Sequence, residues 1–442
     1  MHALTRSVEV CELIARAGEV VAVRGDVVEA KGPAAQVGER CRIEVASSAG
    51  HVEAEVVGFN RGVTVLMPLG SVQGIAAGER VVALGRLPDV PVGRSLLGRV
   101  VDAFGQPVDG RGPIGTQQRR GLRAHPPQAM FRSRVNSPFE TGVRVIDAML
   151  SLAKGQRMGL FSGSGVGKSS LMAMMARGTR AGVNVVALIG ERSREVREFV
   201  EDQLGVEGLK RSVVVVATAA EPAVVRAKAA YAATAIAEYF RDQGEDVLLM
   251  MDSLTRFAMA RREIGLAVGE PPTARGYTPS VFAELPQLCE RGGPGVGAGS
   301  ITGVYTVLVE GEDMNEPVSD TLRATLDGHI VLSREIANAG QFPAVDVLTS
   351  VSRLHNAISA PEDVAAAREV LACCALYERN RQLIEIGVYK PGVSVQLDRV
   401  VQLMPRIRAF LSQGLSDSAP RARSLTQLRE LAASLGADDA SQ

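Results

Sequence analysis

The sequence predicts a multidomain α/β protein: an N-terminal small antiparallel β-barrel, a central P-loop α/β domain with a parallel sheet, and a C-terminal α-helical domain. Three observations carry this. Between Glu19 and Leu84, short valine-rich runs are separated by turns containing glycine. After residue 156, apolar strand-like runs alternate with helical patterns, headed by a strand, a glycine-rich loop and a helix start. Beyond Pro361 the pattern is helical to the end. A chain of 442 residues is past single-core size, so a division into parts also follows from length. It predicts a terminal helix at 1–17, the barrel at 18–88, the α/β domain at 89–356 and the helical domain at 357–442.

The first segment, ALTRSVEVCELIARA at 3–17, puts Leu4, Val8, Cys11 and Ile14 on one helical stripe. That stripe can pack on its own domain or receive a partner. From Glu19 the period becomes two, in EVVAVRG, RCRIEVAS, HVEAEVVGF, GVTVLMPL and ERVVAL. A barrel of this kind can bind single-stranded nucleic acid when it offers aromatic platforms, but this one holds only Phe59. Residues 86–142 are rich in proline and glycine, which predicts an inter-domain crossing rather than regular structure.

Within QRMGLFSGSGVGKSSLM, Met158–Phe161 reads as a short buried strand and Lys168–Arg177 as a helix. The intervening backbone N–H groups can converge on one anion. Gly163, Gly165 and Gly167 leave room for a phosphate, Lys168 can reach the β- and γ-phosphates, and the Ser169 hydroxyl can complete the coordination of Mg²⁺. Ser162 stands where the generic P-loop pattern has its first glycine. A turn made glycine-rich for packing alone would account for neither Lys168 nor Ser169.

Downstream, VNVVALIG, SVVVVAT and DVLLMMD alternate with helical runs, as in a parallel sheet covered on both faces. Ligands then sit at the carboxyl ends of the strands. Two acidic residues fall there. Asp252 is placed to join the Mg²⁺ sphere, or to cap the helix that follows. Glu191 is placed to polarise an attacking water, or to lie solvated in its loop. Residues 266–300 read as a long functional or flexible excursion. The strands resume in TGVYTVLV and HIVLS before the helical domain.

Composition sets the remaining bounds. Lys plus Arg equals Asp plus Glu at 49 each, so no global charge favours nucleic acid or an anionic membrane. The five cysteines show no CxxC spacing, which predicts buried thiols in a reducing compartment. No run approaches the roughly 18 apolar residues of a membrane span, and a cytoplasmic location is expected.

The assembled motifs resemble the rotary-type hexameric ATPases, and most closely their type III export group, with the flagellar ATPases the best fit and the injectisome ATPases the alternative. The resemblance rests on GSGVGKSSL, LIGERSREVREF, MMDSLTRFAMARREIGLAVGEPP, GYTPSVFAELPQL, EDMNEPVSDTLRATLDGHIVLSREIA and FPAVDVLTSVSRL, and it covers nearly the whole chain. It implies a RecA-like domain that hydrolyses ATP with Mg²⁺. Carried over by motif, Ser162, Gly163, Ser164, Gly165, Val166, Gly167, Lys168, Ser169 and Ser170 hold the phosphates, while Ser169 and Asp252 hold the metal. Glu191 becomes the catalytic base, Arg192 and Arg256 lie near the phosphates, Phe342 stacks on adenine, and Arg353 reaches into a neighbour's site. The implied partners are five further copies in a homohexamer, a regulatory stator-like protein on the N-terminal helix, a central-stalk protein on the helical domain, and chaperone–substrate complexes released and delivered to a membrane export gate. The acidic DELSEED segment that contacts the shaft in ATP synthase is absent from the helical domain. A Rho-like RNA motor is disfavoured by the aromatic-poor barrel, and a non-catalytic ring subunit by Glu191.

Overall fold

The computed structural model describes residues 15–46, 50–309, 311, 313–392 and 394–436. The stripe Leu4, Val8, Cys11 and Ile14 lies outside the described residues, and by Ala17 the chain has already entered the first strand.

Six strands, β1 (Ala17–Arg24), β2 (Val27–Lys31), β3 (Arg40–Val45), β4 (Gly50–Asn60), β5 (Val63–Pro68) and β6 (Arg80–Ala83), close into an antiparallel barrel in the order β1-β2-β5-β4-β3-β6. Alternation sends Val20, Val28, Ala30, Ile43, Val56, Leu66 and Val81 inward. Strand β2 corrects the sequence expectation, which held five strand runs here. Its five residues turn only Val28 and Ala30 inward, too weak a period to stand out.

The proline-rich crossing also contains more regular structure than expected. Strand β7 (Asp89–Pro91) pairs with β9 (Arg119–Gly121), and β10 (Pro138–Phe139) pairs with β11 (Leu152–Ala153). Between them, β8 (Arg99–Val101) joins the edge of the large sheet, parallel to β14 (Ser212–Thr218). Three residues bounded by Gly98 and Gly105 carry no readable period. Their pairing is decided by the neighbour strand.

The large sheet runs β19-β18-β12-β17-β15-β13-β14-β8, formed by β12 (Arg157–Ser162), β13 (Val183–Glu191), β14, β15 (Asp246–Asp252), β17 (Ser300–Leu308), β18 (Gly328–Leu332) and β19 (Val351–Ser352). The short β16 (Gly293–Pro294) adds to β17. All pairs are parallel except β18–β19 and β16–β17. Because side chains alternate, Val183, Val185, Ala187 and Ile189 enter one core with the helices Ala223–Asp242 and Leu254–Ala267, while Val186 and Leu188 enter the other with Lys168–Gly178. This second core extends into the C-terminal helices Pro361–Glu385, Val395–Leu411 and Arg421–Gly436 through Val370, Ile407 and Leu428. One apolar face therefore binds the helical domain to the P-loop helix.

The expected excursion at 266–300 instead contains a 12-residue helix, Pro279–Glu290, which buries Val281, Leu285, Leu288 and Cys289. Pro279 occupies the first turn, where its missing N–H has no intrahelical role, so a residue read as a breaker acts as a start. Among the described residues the cysteines are free, with Cys41, Cys289 and Cys374 buried, and no helix is long and apolar enough to cross a membrane.

Buried ion pairs tie these layers together. Lys228 on the Ala223–Asp242 helix pairs with Glu55 of the barrel, and desolvation lowers its pKa. On the same helix, Glu238 accepts from Arg291 at 2.8 and 2.9 Å, the two side chains being only 1% and 4% exposed. Glu238→Ala should strand the Arg291 charge and lower stability by about 3–5 kcal/mol. In urea unfolding, the double change Glu238→Leu with Arg291→Met should cost much less than the single one. An equal cost for both would contradict a charge-pair origin.

Candidate active site

The site is built at the carboxyl ends of four neighbouring strands. Strand β12 delivers Ser162, the chain turns through Gly163–Gly167, and the helix Lys168–Gly178 begins. Gly165 at φ +79° and Gly167 at φ +90° take the left-handed conformation that lets the turn close. No side chain caps this helix, so its first-turn N–H groups are left to whatever anion lies in the loop. The Ser162 hydroxyl is also buried without a hydrogen-bond partner. An uncapped helix start and an orphaned hydroxyl around a glycine cradle fit a phosphate.

The cradle lysine faces two carboxylates. Lys168 Nζ pairs with Asp252 Oδ1 and stands 3.8 Å from Glu191 Oε1. Asp252 ends β15, aligned with Leu188 three residues before Glu191 ends β13. It is 3% exposed and accepts a 2.8 Å hydrogen bond from the Thr306 hydroxyl on β17. The helix after β15 is capped by Ser253, whose side chain accepts from the Arg256 N–H. The Asp252 carboxylate, turned to Lys168 and Thr306, is not that cap. Burial, then the nearby Asp252 charge, push the Glu191 carboxyl up to about 7, against the pull of Lys168, and a hydrogen bond with Glu195 pushes the same way. The same bond lowers Glu195, in the first turn of the next helix.

The remaining expected residues divide by position. Arg256 packs on Gly190, where an added Cβ would come within 3.2 Å of its side chain, and its charge opposes the rise at Glu191. The Phe342 ring stands beside Gly167, 3.6 Å from where a Cβ would project, and is 45% exposed. Ser169 and Ser170 lie half-buried in the first helical turn. Ser164 is exposed at the loop tip, and Val166 is buried beneath it. Arg192 turns outward, 80% exposed, to Glu195 at 3.3 Å. Arg353 is not in this cluster. It follows β19, whose Ser352 pairs with Gly328 at the start of β18, whereas the cradle lies at the other end of the sheet. The five residues of β18 alone put about 13 Å between those ends.

Two contributors were missed from sequence. Thr306 lies inside an apolar run, and a polar residue buried in such a strand is itself the signal. Arg334 follows β18, and its guanidinium comes within 3.3 Å of a Cβ built on Gly163. Gln413 of the helical domain closes the same side: its backbone N–H donates to the Phe342 carbonyl at 2.8 Å, and its amide bonds Gly142 and the Arg144 N–H.

Comparison with known proteins agrees with this architecture segment by segment. Residues 20–85 match the beta-barrel domain of the ATP synthase alpha/beta family, 142–352 its nucleotide-binding domain, and 359–430 the T3SS EscN ATPase C-terminal domain. The chain is 50% identical to the flagellum-specific ATP synthase of Bacillus subtilis, over 97% of this chain and 98% of that one. It is also 50% identical to the type 3 secretion system ATPase of Xanthomonas euvesicatoria, over 90% of each. The assembled ATPase EscN of enteropathogenic E. coli superposes with a TM-score of 0.88 at 40% identity, covering 94% of this chain and all of that one. The same ATPase in complex with its central stalk EscO superposes at 0.85. The chain therefore belongs to the ATP synthase alpha/beta family and, within it, to the ATPases of flagellar and type III secretion export.

Proposed function

We propose that the chain hydrolyses ATP in a Mg²⁺-dependent reaction as a homohexameric ring, and that this drives chaperone release and substrate delivery to a membrane export gate. The observation that carries the reading is the half-buried Lys168 ammonium between Asp252 and Glu191, beside an uncapped helix N-terminus. In this reading Lys168 and the loop from Ser162 to Ser170 bind the phosphates, and Phe342 stacks on the adenine. Ser169 and Asp252 are the residues that would hold Mg²⁺, whose chemistry is to neutralise charge on the phosphates. Glu191 accepts the proton of the attacking water, and burial tunes its carboxyl into the range where it can do so near neutrality. Arg256 sits close enough to stabilise the phosphate charge, and Arg192 lies at the site's rim.

Arg353 is assigned to the neighbouring subunit's site. Its place at the amino ends of the strands, on the β19 edge, keeps it from its own cradle and offers it to another copy. The assembled EscN structures support a ring. The EscN–EscO complex likewise supports a central-stalk partner, which we place on the helical domain. A regulatory partner at residues 1–17 and peripheral attachment to the export gate complete the proposal. The division at residues 88 and 356 is part of it.

Glu191→Gln should bind ATP as the native protein does and lose about 10²–10⁴ in turnover. Because only the ionised carboxylate accepts a proton, native kcat/KM should rise through about pH 7, and this limb should vanish in the variant. Near-native turnover in Glu191→Gln would end its assignment as the base.

Arg353→Ala should bind ATP and lose about 10³–10⁵ in rate. Mixed with Lys168→Ala, it should recover part of the activity, because some interfaces then combine the intact Lys168 of one chain with the intact Arg353 of the next. A mixture that stays inactive although native mass spectrometry shows mixed rings would return Arg353 to a structural role.

A further inference from the structure

A buried threonine shares the metal-sphere carboxylate with the cradle lysine. Strand β17 lies between the P-loop strand β12 and the Asp252 strand β15, with Thr306 aligned to Leu160 and Tyr305 aligned to Met251. Thr306 is fully buried between apolar Val304 and Leu308 on its face of the strand, so its hydroxyl must find a partner or cost stability. The partner is Asp252 Oδ1 at 2.8 Å. The strand end beyond it is held as well, since the Leu308 N–H donates to the Thr255 hydroxyl at 2.9 Å.

Lys168 contacts the same oxygen, Oδ1. Among the described residues Asp252 Oδ2 carries no hydrogen bond, so the carboxylate is held through one oxygen and free at the other. The two donors differ in what they can keep doing. A lysine that turns to a phosphate must relax its grip on Asp252, whereas a hydroxyl on a buried strand has no reason to move. Only 3% exposed, Asp252 gains little from water when Lys168 leaves.

We infer that Thr306 is a positioning residue for ATP hydrolysis: its hydroxyl fixes Asp252 by Oδ1 while Lys168 engages phosphate, leaving Oδ2 for the metal–nucleotide. This rests on the reading of Asp252 as a metal-sphere carboxylate. Thr306 acts through Asp252 and touches no phosphate itself. Its removal should change how binding depends on metal, and leave metal-free nucleotide binding alone.

The test uses the full chain and a fluorescent ATP analogue, with and without Mg²⁺. Thr306→Val removes the hydroxyl at nearly constant volume. The variant should lose about tenfold or more in kcat, the size expected for a hydrogen bond to a charged group. Its affinity for the analogue should fall several-fold in Mg²⁺ and stay native in EDTA. Thr306→Ser, which keeps the hydroxyl, should restore both quantities. Should Thr306→Val fail to melt cooperatively, Thr306→Ala makes the same deletion without a second methyl to fit. Native kcat and native Mg²⁺-dependent affinity in the hydroxyl-less variant would overturn the inference. So would an equal loss of affinity with and without metal, since that marks a general packing defect. Asp252→Asn separates the two levels. If it keeps native metal-dependent affinity, the reading of Asp252 falls; if it loses that affinity while Thr306→Val does not, Thr306 alone falls.

Discussion

One ammonium group organises this protein. Lys168 stands between two carboxylates, ion-paired with the buried Asp252 and 3.8 Å from the half-buried Glu191. The two carboxylates are unequal because their surroundings differ. Asp252 keeps a direct ion pair and a hydroxyl donor, while Glu191 stands further from the lysine, and burial, then the Asp252 charge, push its carboxyl up to about 7. Two carboxylates can thus differ in character through strand geometry alone.

That geometry depends on the parallel sheet. Strands β12, β17, β15 and β13 end within about three residues of one another because their parallel ladders align them, so the side chains at their ends converge. The helices on both faces hold the ladder against sliding. On one side the alanine-rich helix Ala223–Asp242 approaches closely enough to lock Lys228 onto the barrel and Glu238 onto Arg291. On the other side the P-loop helix shares its core with the C-terminal helices. A displacement of the helical domain would therefore be felt at the cradle, through that core and through Gln413, which joins Phe342 to the turn at Gly142. This supplies a physical route by which events at the helical domain can reach the Phe342 side of the site.

Much of this was legible in the amino-acid sequence, for local reasons. The strand–loop–helix at 157–178 is specified by short-range chemistry: apolar residues, glycines able to take positive φ, and a Lys-Ser pair at a helix start. Glu191 and Asp252 were legible because a polar residue ending an apolar run marks a strand's carboxyl end. The barrel and the C-terminal helices declared themselves through periods of two and 3.6. What failed was short or punctuated by proline: β2 with two inward residues, β8 with three residues in all, and the helix Pro279–Glu290.

The sequence by itself determined which chemistry the protein carries, since a phosphate cradle, a lysine and two strand-end acids are fixed by residue type and local spacing. Only the tertiary structure decided who meets whom. It set Thr306 on the oxygen that Lys168 also holds, brought Arg334 and Gln413 to the rim from distant segments, and put Arg353 at the far end of the sheet from its own cradle. Those relations depend on strand order, and strand order follows from long-range pairing and the burial of two sheet faces at once, which no local window of sequence contains.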